Sequence, residues 1–183
     1  MTNVKLNPNT PIIGIEKCTV SDFWAWAYSD ILSNRNRSIF AEFLVAFALG
    51  VTDEPRIEWD AVDVRYGNIA IEVKSAAYIQ SWEQKKHSTI RFDISKKRSW
   101  NAKTNEYFPD PSRYSDCYIF CLYLETEKVN ILDINGWRFY VVPTKTINKI
   151  FGEQKSVSLN KVLNISKEIP YQELQKTIDS IFT

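Results

Sequence analysis

The sequence predicts an α/β fold, a single mixed β-sheet flanked by helices. Three observations lead there. The run from Arg37 to Leu49 is apolar nearly all round, the pattern of a helix packed on every side. Strand-like runs follow at Ile57 to Ser75 and at Asp116 to Leu124, the second almost continuously apolar. Helical and strand patterns also interleave along the chain, which suggests one mixed sheet flanked by helices. The chain has 183 residues, 44% of them hydrophobic, and shows neither internal repeat nor long linker. One domain over 1–183 is expected, with its core at about 37–124.

Taken in order, residues 1 to about 17 read as a loosely docked lead-in. The run SDFWAWAYSDILS reads as a helix with Phe23, Trp24, Ala27, Tyr28 and Ile31 on one apolar face, started at Thr19 or Ser21. Asn34-Arg35-Asn36 breaks it. The helix from Arg37 to Leu49 ends at Gly50 as its cap. Two strands then turn at Arg65-Tyr66-Gly67-Asn68. Tyr78 to His87 is a short helix or loop, and Thr89 to Ile94 alternates as a third strand. Ser95 to Asp110 is a long basic loop carrying Lys96, Lys97, Arg98, Trp100 and Lys103. Val129 to Ile134 and Trp137 to Val142 read as a hairpin about Asn135-Gly136. Thr144 to Phe151 is a short helix. Pro170 to Phe182 is another, with proline in its first turn and Leu174, Ile178 and Ile181 at helical spacing.

Composition removes several function classes. The five glycines form neither GxGxxG nor a phosphate-binding loop, so nucleotide cofactors that need close backbone approach are poor readings. No GxSxG occurs, and a Ser-His-Asp triad would rest on His87 alone. With one histidine and no CxxC, zinc is a poor reading too. Cys18, Cys117 and Cys121 read as reduced thiols in a cytoplasmic protein. No apolar run reaches membrane-spanning length, and no signal core is visible near the start. Net charge is +1, so any nucleic-acid surface must be a local patch.

The chemistry concentrates in IEWDAVDVRYGNIAIEVKS. Asp60, Asp63, Glu72 and Lys74 interrupt otherwise apolar strands, where charge is costly unless paired, hydrated or metal-bound. Glu72 and Lys74 are two apart and so share a face. Carboxylates on adjacent strands suit Mg²⁺ (or Mn²⁺), and an ammonium beside them suits an attacking water and a phosphate. Which aspartate joins them depends on the turn. A two- or four-residue turn puts Asp63 on the face of Glu72 and Lys74; a three-residue turn with a bulge brings Asp60 there instead.

Asp60…Glu72-Val73-Lys74, with Glu42 on the preceding helix, resembles the PD-(D/E)xK nuclease superfamily. AEFLVAFALG, EWDAVDV, EVKSAAYIQSW and WRFYVVP resemble a bacterial branch of it, although Trp59 stands where proline is common. The resemblance implies a restriction-endonuclease-like αβββαβ core. It implies Asp60, Glu72 and the Val73 carbonyl as metal ligands, Lys74 at the attacking water and Glu42 as an accessory acid. Family spacing favours Asp60 over Asp63. Gln80 would support the site. Two further ExK matches, at Glu83 and Glu153, lie in polar context and carry no such pattern.

Other readings stand beside these. Glu42 could be a core acid paired with Arg35 or Arg37, Ser75 a phosphate contact or a cap, and Gln80 a solvated helix residue. Lys85, Lys86, Arg91, Lys96, Lys97 and Arg98, interleaved with Trp82 and Trp100, could track a nucleic-acid backbone or form a solvated loop. Arg113 and Tyr114 are weaker phosphate candidates. The expected function is a Mg²⁺-dependent endonuclease acting on DNA, possible as a homodimer and with no membrane partner. The alternatives are a non-catalytic nucleic-acid- or protein-binding module on the same fold, or an interaction protein with a buried ion-pair network.

Overall fold

A computed structural model describes residues 4–58, 60–98, 100–101, 106–107, 109–127 and 130–182. Trp59, Lys103 and Val129, named above, lie outside the described residues.

The centre is a four-stranded mixed sheet of β1 (Val64–Tyr66), β2 (Ile69–Ala77), β6 (Cys117–Tyr123) and β7 (Trp137–Pro143), in that spatial order. β1 and β2 are antiparallel, β2 and β6 parallel, β6 and β7 antiparallel. Tyr66 pairs with Ile69, so the hairpin turns on Gly67-Asn68 alone, without a bulge. Gly67 takes φ 56°, a left-handed value that glycine adopts without a Cβ penalty.

The sheet is covered on both faces, as its nearly unbroken apolar strands require. One face buries Ile71, Val73, Ile119, Phe139 and Val141 against α2 (Asn34–Ala48) and α5 (Leu174–Phe182). The other buries Ala76, Phe120, Leu122 and Val142 under a second layer. That layer holds α3 (Thr144–Phe151), α4 (Leu159–Leu163) and a small sheet of β3 (Arg91–Asp93) with β8 (Ser156–Ser158). Phe92 seats β3 on the main sheet, its ring 4.9 Å from that of Phe120. Among the described residues, no helix is long and apolar enough to cross a membrane.

Several expectations are corrected. The TIRFDI strand forms as β3, but it pairs with the unforeseen β8 rather than joining the central sheet. β7 has no hairpin partner at residues 130–134; it pairs with β6, and Ile134–Gly136 is a 3-10 turn leading into it. Asn135-Gly136 looked like a hairpin turn, but Asp133 accepts the Asn135 amide and tightens the chain into that short helical turn instead. The basic loop contains a two-residue ladder, β4 (Trp100–Asn101) with β5 (Glu106–Tyr107). α1 (Val20–Tyr28) starts at Thr19, whose amide donates to Asp22 at 2.7 Å, but it ends earlier than expected. Its apolar face does not enter the core: only Val20 is buried, while Trp26 is 85% exposed. The connection from β2 to β6 holds short strands and no helix among its described residues.

Candidate active site

The two-residue turn settles which aspartate meets Glu72. β1 pairs Val64 with Ile71, and Asp63, just before β1, donates its amide to that same residue's carbonyl, Ile71 O, at 3.1 Å. The Asp63 carboxylate accepts the Val73 amide at 2.7 Å. Val73 thus reaches the cluster through its amide. Lys74 Nζ lies 2.5 Å from Glu72 and 3.9 Å from Asp63, so one ammonium bridges two carboxylates. The three side chains keep only 16–22% of their surface in solvent. Glu72 and Lys74 share the sheet face of Ala76, with Tyr118 beside Glu72 on β6.

Electrostatics follow from that placement. Burial pushes the Glu72 carboxyl above its ordinary range, and the Asp63 charge adds to this against the pull of Lys74. Burial likewise raises Asp63; Lys74 opposes the rise and Glu42 reinforces it. Burial works against the Lys74 charge, but Glu72 and Asp63 outweigh it and raise its pKa. Two acids that resist ionising together, held half out of water, form a hard-oxygen donor pair that a divalent cation would relieve.

Asp60 is elsewhere. Arg65 grips it with two hydrogen bonds, Nε to Oδ2 at 2.8 Å and Nη2 to Oδ1 at 2.9 Å, and the Ala61 amide donates at 2.7 Å. The hairpin register therefore does not set Asp60 across from Glu72. Among the described residues, no group of three or more His, Cys, Asp or Glu side chains converges tightly enough to hold a metal.

Glu42 is buried on α2 and pairs with Arg56, not with Arg35 or Arg37. Arg56 Nη2 donates to it at 3.3 Å and Nε makes a second, shorter bond. Both charges reach Asp63. Glu42, Arg56, Asp60, Asp63 and Arg65 line a cleft of about 410 Å³ beside the first strand. Glu72 and Lys74 do not line it; Asp63 belongs to both the cleft and the cluster.

Gln80 and Ser75 stand behind this arrangement. Gln80 is buried, accepts from Arg37 Nη1 at 3.1 Å, and donates to Ala77 O at 3.2 Å and Ser88 Oγ at 3.1 Å. It ties the start of α2 to the end of β2. Ser75 lies 3.3 Å from Ser38 Oγ on the helix-covered face, away from Lys74.

The basic residues differ in whether a carboxylate meets them. Lys85 and Lys86 are exposed just beyond β2, Arg91 on β3, and Arg98 further along. Lys96 pairs with Glu153, and Lys97 with Asp93 at 3.0 Å. Trp82 is exposed, and Trp100 packs edge-on against Tyr107. Arg113 is structural: it is buried and donates to Ile94 O and Asn148 Oδ1, both at 2.6 Å. Tyr114 donates to Asp110 O.

Arg56 and Asp93 were missed by sequence reasoning. Burial opposes ionisation of Asp93, but hydrogen bonds from Ser95 and the Lys97 ammonium pull its carboxyl down to about 2. Its charge reaches Lys74. No local signal marks either residue: one sits in a proline-flanked loop, the other looks like the polar member of an alternating strand. No protein-family model matches the chain, and no curated protein matches it.

Proposed function

We propose that this protein is a phosphodiester hydrolase acting on DNA, with Asp63 and Glu72 as the acids that would hold Mg²⁺ or Mn²⁺. The observation that carries the reading is one ammonium, Lys74, bridging the carboxylates of Glu72 on β2 and of Asp63 just before β1. A divalent ion bound there would supply charge to the phosphoryl oxygens and acidify a bound water. Lys74 would orient that water by hydrogen bonding and offset charge as the phosphorus becomes five-coordinate. The Val73 amide fixes the Asp63 carboxylate, and Arg56 holds Glu42 beside it. Three free cysteines fit a reducing, cytoplasmic setting.

The restriction-endonuclease-like core belongs to the same proposal. The helix α2, the acidic hairpin and the parallel strand β6 support it. The absence of a helix among the described residues between β2 and β6 is the departure. The test is plasmid cleavage with Mg²⁺ or Mn²⁺ by the wild type and by Lys74→Ala. Activity lost in the variant supports the reading; equal activity in both, or none in either, overturns it. If DNA binds in a salt-dependent way but no metal yields cleavage, the fold serves as a binding module instead.

A further inference from the structure

The cleft beside Asp63 has a chemistry of its own. Its floor is apolar, built from Ile39, Ala46, Val51 and Val62, and Phe43 stands on one side with 48% of its surface exposed. Its rim carries two arginine–carboxylate pairs, Arg56 with Glu42 and Arg65 with Asp60. Both guanidiniums reach solvent, at 35% and 58% exposure. Three cationic side chains (Lys5, Arg56, Arg65) face four carboxylates (Glu42, Glu54, Asp60, Asp63) around the opening. Counted as ionised, that set is one negative charge in excess, which disfavours a bare phosphate and leaves apolar and hydrogen-bonding contact as what the cleft can offer. The site instead offers an apolar slot, an aromatic face and charged side chains that both donate and accept.

We propose that the cleft seats one unpaired nucleotide of the substrate, next to the bond addressed by Asp63, Glu72 and Lys74. The preferred substrate is then DNA with an extrahelical nucleotide rather than a perfect duplex. This rests on the phosphodiester reading and narrows its substrate class. A base has apolar faces and a polar edge, which match the slot and its border. A volume of about 410 Å³ suits one nucleotide and cannot admit a duplex. Asp63 lies on the cleft wall and also in the cluster, so a nucleotide seated there places its neighbouring phosphodiester at the acids. Phe43 gives a stacking surface that does not depend on base identity.

The test is fluorescence anisotropy in EDTA with one labelled duplex, intact or carrying a single bulged nucleotide. Wild type is expected to bind the bulged DNA about tenfold more tightly, the value of one stacked base. Ala46→Trp, which fills the slot, and Phe43→Ala, which removes its wall, should each lower that preference while leaving intact-duplex binding in place. Circular dichroism checks that both variants fold, and Phe43→Ala serves if Ala46→Trp does not. Equal affinity for the two DNAs, a preference that survives both variants, or no DNA binding at all overturns the proposal. Cleavage assays with Mg²⁺ separate the two claims. Lys74-dependent cleavage without bulge preference leaves the hydrolase and removes the cleft; bulge preference without cleavage does the reverse.

Discussion

Asp60 and Asp63 are the same side chain three residues apart, and the fold treats them in opposite ways. Asp60 sits in a loop where an exposed guanidinium meets it with two well-shaped bonds. The arginine half of that pair keeps 58% of its side chain in water while Asp60 keeps 18%, so Asp60 is as sheltered as Asp63 but has a guanidinium matched to it. Asp63 lies at the mouth of β1, against a second acid, with one shared ammonium and a fixed backbone amide. Its ionisation is opposed rather than satisfied. A carboxylate that is already well paired is a settled structural group. One that is held ionisable, half-buried and short of positive charge is prepared for a further cation.

The largest expected effect breaks this contrast directly. Asp63→Asn should lower Mg²⁺-dependent DNA cleavage by about 10²–10³-fold, as loss of a directly engaged charged group does, whereas Asp60→Asn should leave it within about threefold. The opposite ranking in plasmid assays would return the ligand role to Asp60.

Stability comes next. Lys74→Met leaves two like charges facing each other, and urea unfolding at neutral pH should show a loss of about 1–3 kcal/mol, below the usual cost of a fully buried pair because the groups keep some solvent. Adding Asp63→Asn to that variant should recover part of the loss, and full additivity would show that the two do not interact.

Titration sharpens the same point. The Glu72 carboxyl is raised in the folded state, so its stabilising contribution is full below its ordinary 4.5 and is lost as pH rises through the raised value. Glu72→Gln should therefore gain on the wild type as pH climbs through that window. Asp93 has the opposite sign. Its carboxyl is lowered to about 2, so it stabilises above its ordinary 3.8 and stops doing so as pH falls toward 2. Asp93→Asn should therefore trail the wild type above 3.8 and close that gap as pH falls toward 2. Parallel unfolding curves for both variants at all pH values would contradict the assignment. The smallest effect is at Arg65: Arg65→Ala should cost under about 1 kcal/mol, since the guanidinium keeps 58% of its side chain in solvent.

Much of this was legible from sequence, for physical reasons. The period-two spacing of Glu72 and Lys74 guaranteed a shared face, and the apolar run from Ile69 guaranteed that the face would be half-buried. The choice between the aspartates was open because it depends on turn parity. A one-residue difference flips every side chain, and Gly67-Asn68 permits more than one turn. The fate of the TIRFDI strand was not legible. Its partner, Ser156–Ser158, is too short and polar to announce itself. The partner of Glu42 was equally hidden, because a loop of irregular backbone brings Arg56 to it. The aromatic face of α1 shows the limit of periodicity: the pattern marks a face, but what covers it is set by tertiary arrangement.

The parallel pairing of β2 with β6 has a kinetic consequence. The acidic hairpin closes over two residues and needs nothing distant, so it can form within about 1–10 μs. β6 must be brought back across 46 positions, where Ala70 meets Asp116, before Tyr118 and Phe120 cover the face of Glu72 and Lys74. Such closure is slow relative to local turns. Until it occurs the acids stand in water and titrate as ordinary carboxylates. During refolding, strand signal from the hairpin should therefore appear ahead of the perturbed Glu72 titration. The chain assembles its charges early and acquires their unusual chemistry only when the distant parallel strand docks.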